Sequence, residues 1–383
     1  MEIGGEIPEL TTFRREMEAV TASCTFLNHA AVSPLPRRVR EAMARYVDCR
    51  GVTFGYKREY EEIAPRLRAA IARLIGADAE EIGFVQNTSL GLNIAARSLP
   101  LEPGDNVIFC DMEFPSNVYP WMLLEQQRGV EARCIPHDGG GLTLEALEAH
   151  ADDRTRAVTV SSVEFLTGFR TDLEAIGRWC RERGVYFVVD GIQSVGAMPM
   201  DVRACHVDFL ACGGPKWLMG PVGLGFLYCR RDLLERLTPP MAGCISVVGW
   251  ENWRDYDLTF LPSAARFELG SRNLVGMVGL LAAVELLLEV SVEAIHARTL
   301  HLAERLIADL KQRGYQVVSN QAPARRSAVV SFAVPGDPQI AHTRLQEAGV
   351  VVSLRETYIR VSPHGYNTED EIARVGQVLG DAG

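Results

Sequence analysis

At 383 residues the chain is long for one core and short for three, which predicts one large unit and one smaller one. The formal net charge of -10 disfavours nucleic acid and anionic membranes, which are held by basic patches, and no long basic run offsets it. Nine cysteines without a CxxC pair predict reduced thiols rather than a disulfide framework or a bound metal, and with them a cytoplasmic location. The acidic start MEIGGEIPEL has no apolar centre, and no run of about 18 apolar residues follows, so neither secretion nor membrane insertion is expected.

In chain order, EIGFVQ ends at Asn87-Thr88-Ser89, where the helical pattern LGLNIAARSL begins. Short apolar runs then alternate with helical stretches: NVIFC (106–110), VEARCIP (130–136), AVTVSS (157–162), VYFVVD (185–190), VDFLAC (207–212) and GLGFLYC (223–229). Runs that are nearly continuous rather than alternating predict strands buried on both faces of a mostly parallel sheet. LTLEALEAHA and TDLEAIGRWCRERG carry helical spacing between them, the second opening on Thr171-Asp172 and closing on Gly184. After residue 275 come a long apolar helix, LVGMVGLLAAVELLLEV, and a second helix, HARTLHLAERLIADLKQRG. Strand-like YQVVS, SAVVSFAV and VVVSL and a last helix from about Asn367 complete an α+β unit.

Lysine occurs only at positions 57, 216 and 311, although lysine and arginine together number 39. Lys216 sits in CGGPKWLMGP, among glycines, prolines and a tryptophan, which suggests a task for an amine that can lose its proton, as a guanidinium cannot. In an open α/β sheet ligands gather at the carboxyl ends of the strands. VYFVVD ends on Asp190, VDFLAC ends just before Lys216, and Thr88-Ser89 open a helix whose free N–H groups suit a phosphate. An amine for a Schiff base, an acid for a pyridinium proton and donors for a phosphate are what pyridoxal 5'-phosphate requires. Taken singly, Asp190 and Thr88-Ser89 also read as helix caps and Lys216 as a surface residue.

Seven stretches in order carry a resemblance across nearly the whole chain: LNHAAVSPLP (27–36), NTSLGLN (87–93), EFPSNVYPW (113–121), VVDGIQSVGAMPMDV (188–202), GGPKWLMGPVGLGFLY (213–228), RFELGSRN (266–273) and YIRVSPHGYNTEDEI (358–372). The chain resembles the class V aminotransferase family of pyridoxal-phosphate enzymes, which holds cysteine desulfurases, isopenicillin-N epimerase-like proteins and C–S lyases. The resemblance implies fold type I: an α/β domain at 26–285 on a mostly parallel seven-stranded sheet, a smaller α+β domain at 286–383, and an N-terminal segment, 1–25, packing with the latter. It implies that Lys216 forms the aldimine and moves the Cα proton, that Asp190 pairs with the ring nitrogen, and that Gln193 bonds the ring hydroxyl. Phe114 would stack on the ring, and Thr88 and Ser89 would hold the phosphate. Ser271 would reach a phosphate across the interface of a homodimer. Arg360 would clamp the carboxylate of an amino-acid substrate, and Asn28, His29, Phe165 and Arg355 would lie near that substrate.

Departures from the family pattern narrow the expected reaction. Cysteine desulfurases place a histidine where Phe114 stands and a catalytic cysteine on the loop before the carboxylate arginine, whereas SLRETYI (353–359) has none and no cysteine follows Cys244. A persulfide-forming cysteine desulfurase is therefore not expected, and Cys244 reads as a structural thiol. Gly213 and Pro215 stand where relatives carry a serine and a histidine that help bind phosphate. Phe165 replaces an asparagine common near the ring. The expected reaction is β-elimination from a cysteine-derived amino acid, with transamination as the alternative and epimerisation or decarboxylation after it. GPVGLG (220–225) runs into a strand rather than a helix, which excludes a dinucleotide site, and Lys216 lacks the spacing of a P-loop.

Overall fold

The structure, a computed structural model, describes residues 8–52 and 56–382. The part of the N-terminal segment before residue 8 lies outside the described residues.

Seven strands form one sheet, in the spatial order Ile82–Val85, Gly225–Cys229, Phe209–Gly213, Tyr186–Asp190, Thr155–Ser161, Asn106–Cys110, Glu131–Ile135. Only Gly225–Cys229 runs against its two neighbours; every other pairing is parallel. The apolar runs in the sequence have their cause here, since successive residues go to opposite faces and both faces are covered. Ile108, Val158, Val189 and Leu210 join one core cluster with Leu67, Ile71, Leu280 and Leu287. Their chain neighbours Val107, Ala157, Val188 and Phe209 join a second cluster with Leu92, Ala95 and Trp121. Each such aliphatic side chain stabilises the fold by roughly 1.5–3 kcal/mol on burial. The strand at the edge, Glu131–Ile135, differs: Glu131 is exposed and Arg133 partly so, and Arg133 pairs with both Glu131 and Asp152, charges that keep an open edge from adding another strand.

The apolar helix Leu274–Val290 explains its composition by position, because it is wedged between the first core cluster and the helices Arg37–Val52 and Tyr56–Ile75. No single described helix is long and apolar enough to cross a membrane. At Ser291, with φ +73, the chain bends by 78° into the helix Val292–Gln312.

The C-terminal part has its own antiparallel sheet, in the order Ser353–Arg355, Tyr358–Val361, Val330–Ala333, Gln316–Val317. Leu302, Leu306, Phe332, Ile359 and Val361 form its core. VVVSL, read as one strand, is two: Val350–Val351 pairs in parallel with Thr25–Phe26, and Ser353–Arg355 pairs with Tyr358–Val361. The N-terminal segment touches both parts. Phe13 and Met17 enter the large core, while Arg14 donates to the Tyr366 carbonyl and to Glu371. Leu27 lies in the C-terminal core and Asn28 bridges to Ser362.

Candidate active site

Six of the seven strands run the same way, so Val85, Cys110, Ser161, Asp190 and Gly213 all end at one edge of the sheet. The loops that leave this edge carry Thr88, Phe114, Phe165, Gln193 and Lys216, which brings residues far apart in sequence to one place. Arg360, from the C-terminal sheet, faces them: its Nη1 donates to the Phe165 carbonyl at 2.6 Å.

Asp190 is buried, and Oδ1 accepts from the Ile192 N–H at 2.9 Å. Burial pushes its carboxyl up to about 6, against the pull of that N–H and of Lys216. Its ionised form carries a burial cost that a cationic N–H would offset. Lys216 has the converse problem. Burial lowers its ammonium to about 8, with Asp190 opposing and Arg360 and Arg355 assisting. Among the described residues its Nζ has no hydrogen bond or ion pair; the Phe114 ring centroid lies 5.7 Å away. At pH 7 about a tenth of such amines are neutral, against roughly three in ten thousand for an unperturbed lysine.

Arg360 is 1% exposed, yet its Nε and Nη2 have no partner. Burial, then Arg355, lowers its guanidinium to about 9. Two orphaned N–H groups on one face of a buried guanidinium form a fork that fits a carboxylate. Phe114 and Phe165 meet edge to face with centroids 5.2 Å apart, making an apolar wall beside Lys216. Arg355 is exposed and lies opposite Tyr358 in the strand pair.

At the start of the helix Thr88–Ser98, the cap is Asn87, whose side chain accepts from the Leu90 N–H at 2.9 Å. The N–H groups of Thr88 and Ser89 thus stay free of helical acceptors. Thr88 Oγ1 accepts the Gly213 N–H at 2.9 Å, which leaves the hydroxyl proton of Thr88 to donate elsewhere. A Cβ on Gly213 would stand 3.1 Å from that oxygen, so glycine keeps the approach open. Ser89 is in contact with Ser116, Oγ to Oγ at 2.8 Å. Gln193 is mostly engaged: Nε2 donates to the Ala30 carbonyl and Oε1 accepts from Trp217 Nε1, so one N–H remains for a ligand. Ser271 is exposed.

Two expected substrate neighbours have other partners. His29 is fully buried, with Nδ1 2.7 Å from Ser33 Oγ and Nε2 2.8 Å from Tyr366 Oη, so neither nitrogen is left for substrate. Asn28 accepts the Ser353 hydroxyl on Oδ1 at 2.6 Å, which ties it to the C-terminal sheet.

The sequence reading missed a buried acidic pair. Glu113 accepts from Asn117 Nδ2, from the Ser161 N–H and from Ser161 Oγ. Glu164 lies against it and against Cys110, with Oε2 unpartnered. Burial raises both carboxyls, and Glu113 raises Glu164 further. The acid with three donors keeps the charge, so Glu164 carries the proton. Glu113 stands inside EFPSNVYPW, next to Phe114, but neither glutamate has a spacing that announces it.

The residues present thus fit pyridoxal phosphate: an amine of lowered basicity, a buried acid awaiting a cation, and free donors at a helix start. A family model, aminotransferase class V, matches residues 25–375. A probable cysteine desulfurase of Methanothermobacter thermautotrophicus is 32% identical over 380 residues, covering 92% of this chain and 93% of the relative. The apo structure of a cysteine desulfurase from Thermococcus onnurineus is 28% identical with TM-score 0.86, covering 94% of this chain and 95% of the other. The cystine C–S lyase C-DES, in complex with its reaction product cysteine persulfide, is 25% identical with TM-score 0.86, covering 94% of this chain and 99% of the other. Sheet order, site and sequence therefore agree: the chain belongs to the class V aminotransferase family of fold-type I pyridoxal-phosphate enzymes.

Proposed function

We propose that the protein is a lyase that eliminates a sulfur leaving group from Cβ of a cysteine-derived α-amino acid. Bound at Asp190 and Lys216, pyridoxal phosphate supplies a sink for the electron pair left when the Cα–H bond breaks. Asp190 would hold the proton on the ring nitrogen, and its burial makes that pairing strong. Arg360 would take the substrate carboxylate on Nε and Nη2 and so orient Cα. Lys216, released from the cofactor as a largely buried amine of lowered pKa, would remove the Cα proton and then protonate the leaving sulfur. The Cβ–S bond breaks with its electrons going to sulfur, and hydrolysis of the resulting enamine gives a 2-oxo acid and ammonia.

The observation that carries this reading is that an amine, Lys216, lies 5.7 Å from the Phe114 ring centroid, beside the apolar wall made by Phe114 and Phe165. Support for sulfur chemistry comes from the C–S lyase and the desulfurases among the similar proteins. Those desulfurases also favour a second reading, and they do not support the expected exclusion of persulfide formation. The segment Ser353–Tyr358 has no thiol, but Cys244 is exposed and would be the nucleophile of a desulfurase. We further propose a homodimer in which Ser271 reaches the partner's phosphate. Trp253 and Tyr256, 81% and 95% exposed, are the kind of surface such a contact would cover.

The test is incubation of the purified yellow protein with L-cystine and with L-cysteine. Pyruvate and ammonia forming continuously without an amino acceptor supports elimination. Alanine together with an enzyme persulfide, which an added thiol reduces to sulfide, both lost in Cys244→Ala, supports the desulfurase, and turnover that stops after one equivalent until a 2-oxo acid is added supports transamination.

A further inference from the structure

The peptide that carries Lys216 is gripped from two distant parts of the chain. Three successive carbonyls accept hydrogen bonds: Pro215 from the Ser33 N–H at 2.8 Å, Lys216 from Ser33 Oγ at 2.6 Å, and Trp217 from His364 Nε2 at 3.2 Å. Within the same turn Met219 is held at φ +52, a left-handed conformation that a side-chain-bearing residue adopts only under external constraint, with its N–H on the Lys216 carbonyl.

Counting protons fixes the direction of every bond behind Ser33. A carbonyl only accepts, so the one hydroxyl proton of Ser33 points to Lys216. Toward His29 the same oxygen is an acceptor, and Nδ1, 2.7 Å away, must carry a proton. In a neutral ring Nε2 is then a lone pair and accepts from the Tyr366 hydroxyl at 2.8 Å. The ring is neutral because it is fully buried and faces the ring of His364 with centroids 5.0 Å apart. His364 takes the opposite tautomer: Nε2 donates to the Trp217 carbonyl and Nδ1 accepts from the Gly365 N–H.

The grip continues to the substrate side. The strand Tyr358–Val361 bears Arg360 and runs straight into Ser362, whose carbonyl accepts from the His29 N–H at 3.1 Å and whose hydroxyl accepts from the Ala30 N–H at 3.0 Å. Two residues later comes His364. The arginine expected to hold the carboxylate and the peptide that carries the lysine are thus anchored in one hydrogen-bonded network. As the cofactor lysine, Lys216 would need a side chain that moves at each turnover, and a fixed peptide would keep its aim.

We propose that His29 is a positioning residue for Lys216: held as the Nδ1–H tautomer by Tyr366, it orients the Ser33 hydroxyl that fixes the Lys216 carbonyl. The proposal rests on Lys216 being the cofactor lysine, and its first test is independent of the reaction. In holoenzyme labelled with 15N-histidine, proton–nitrogen correlation at pH 7 should show one ring as Nδ1–H, assigned by its loss in His29→Asn. An Nε2–H or doubly protonated His29 overturns the assignment. The second test compares His29→Leu with His29→Asn, whose amide can donate to Ser33 from nearly the Nδ1 position. The leucine variant should lose about 10- to 100-fold in kcat with KM changed less than about threefold, the expected effect of leaving one buried polar group unmatched. Its pH titration of the cofactor's visible absorption should also move, while His29→Asn stays within about threefold and keeps the native titration. Equal behaviour of the two variants overturns the proposal. If the leucine variant does not fold, Ser33→Ala replaces it, and a loss of about 10- to 100-fold in kcat is the expected result, an unchanged kcat the refuting one. A wild-type protein that takes up no cofactor would instead sink the family role of Lys216 and leave the tautomer measurement standing.

Discussion

Arg360→Met separates stability from function in one substitution. Burial moves the guanidinium from the ordinary 12.5 to about 9, which at about 1.4 kcal/mol for each tenfold is on the order of 5 kcal/mol of unfavourable free energy at neutral pH. No carboxylate offsets it among the described residues; the Phe165 carbonyl is its hydrogen-bond partner. Methionine fills a similar volume without charge and leaves that carbonyl without a donor, a loss of about 1 kcal/mol or somewhat more. The balance favours the variant by up to about 3–4 kcal/mol, within the range of gains seen when buried charges give way to apolar residues. The assay is thermal unfolding of the holoenzyme with and without propionate, a carboxylate that has no amine to react. The variant should unfold a few degrees higher than wild type. Propionate at about 100 times its Kd should stabilise wild type by about 2.7 kcal/mol and leave the variant unaffected. A variant less stable than wild type, or equal stabilisation of both by propionate, would refute the carboxylate fork.

Other expectations follow from the same site. In the cofactor-free protein, labelling of Lys216 by an amine-directed reagent should titrate near pH 8; with only two other lysines in the chain, peptide mapping resolves it, and a midpoint above 10 would contradict the burial argument. Asp190→Asn should keep the fold and lose turnover by roughly 10²–10³-fold, the scale of removing one preorganised charge from a buried reacting centre; a loss under tenfold would show that the ring proton is held otherwise. Glu164→Gln should cost less than about 1 kcal/mol in denaturant unfolding, because glutamine copies a protonated acid, whereas Glu113→Gln should cost about 1–3 kcal/mol by depriving Ser161 of its acceptor. Equal losses would move the proton to the other glutamate. Gly213→Ser should weaken cofactor binding about tenfold by displacing the Thr88 hydroxyl that stands 3.1 Å from the new Cβ; tighter binding would mean that serine restores a phosphate contact instead.

The sheet was readable because its strands are buried on both faces, which writes an unbroken apolar run into the sequence. Lys216 was readable because its surroundings contradict its chemistry, and Asp190 because a strand end marks it. What escaped is what depends on distant partners. VVVSL looks like one strand, yet its halves belong to different sheets, since Val350–Val351 answers a pair of residues 325 positions earlier. His29 matched a family segment, but its two nitrogens are spent on Ser33 and Tyr366, and no local pattern predicts a bond that spans 337 positions. Glu164 lies in a strand-exit loop like many surface acids, and only the fold shows that it is fully buried against another acid.

The charges at the sheet edge also say what kind of ligand completes them. Asp190 and Arg360 are both buried and both pushed by burial toward their neutral forms, yet they do not pair with each other. Had the protein needed only stability, an ion pair between them would relieve each, or apolar residues would replace both. A buried anion and a buried cation are kept apart, with an amine of lowered pKa whose charge both influence, so each could pair with a ligand group of opposite sign. In the proposed reading a protonated ring nitrogen would pair with the first and a carboxylate with the second. The arrangement thus supports the proposed pairing with a cofactor and an α-amino acid, each of which would offset part of a burial penalty. On that proposed reading, ligand binding would favour the ionised forms of Asp190 and Arg360 further, and Lys216, whose charge interacts with both, would respond to each.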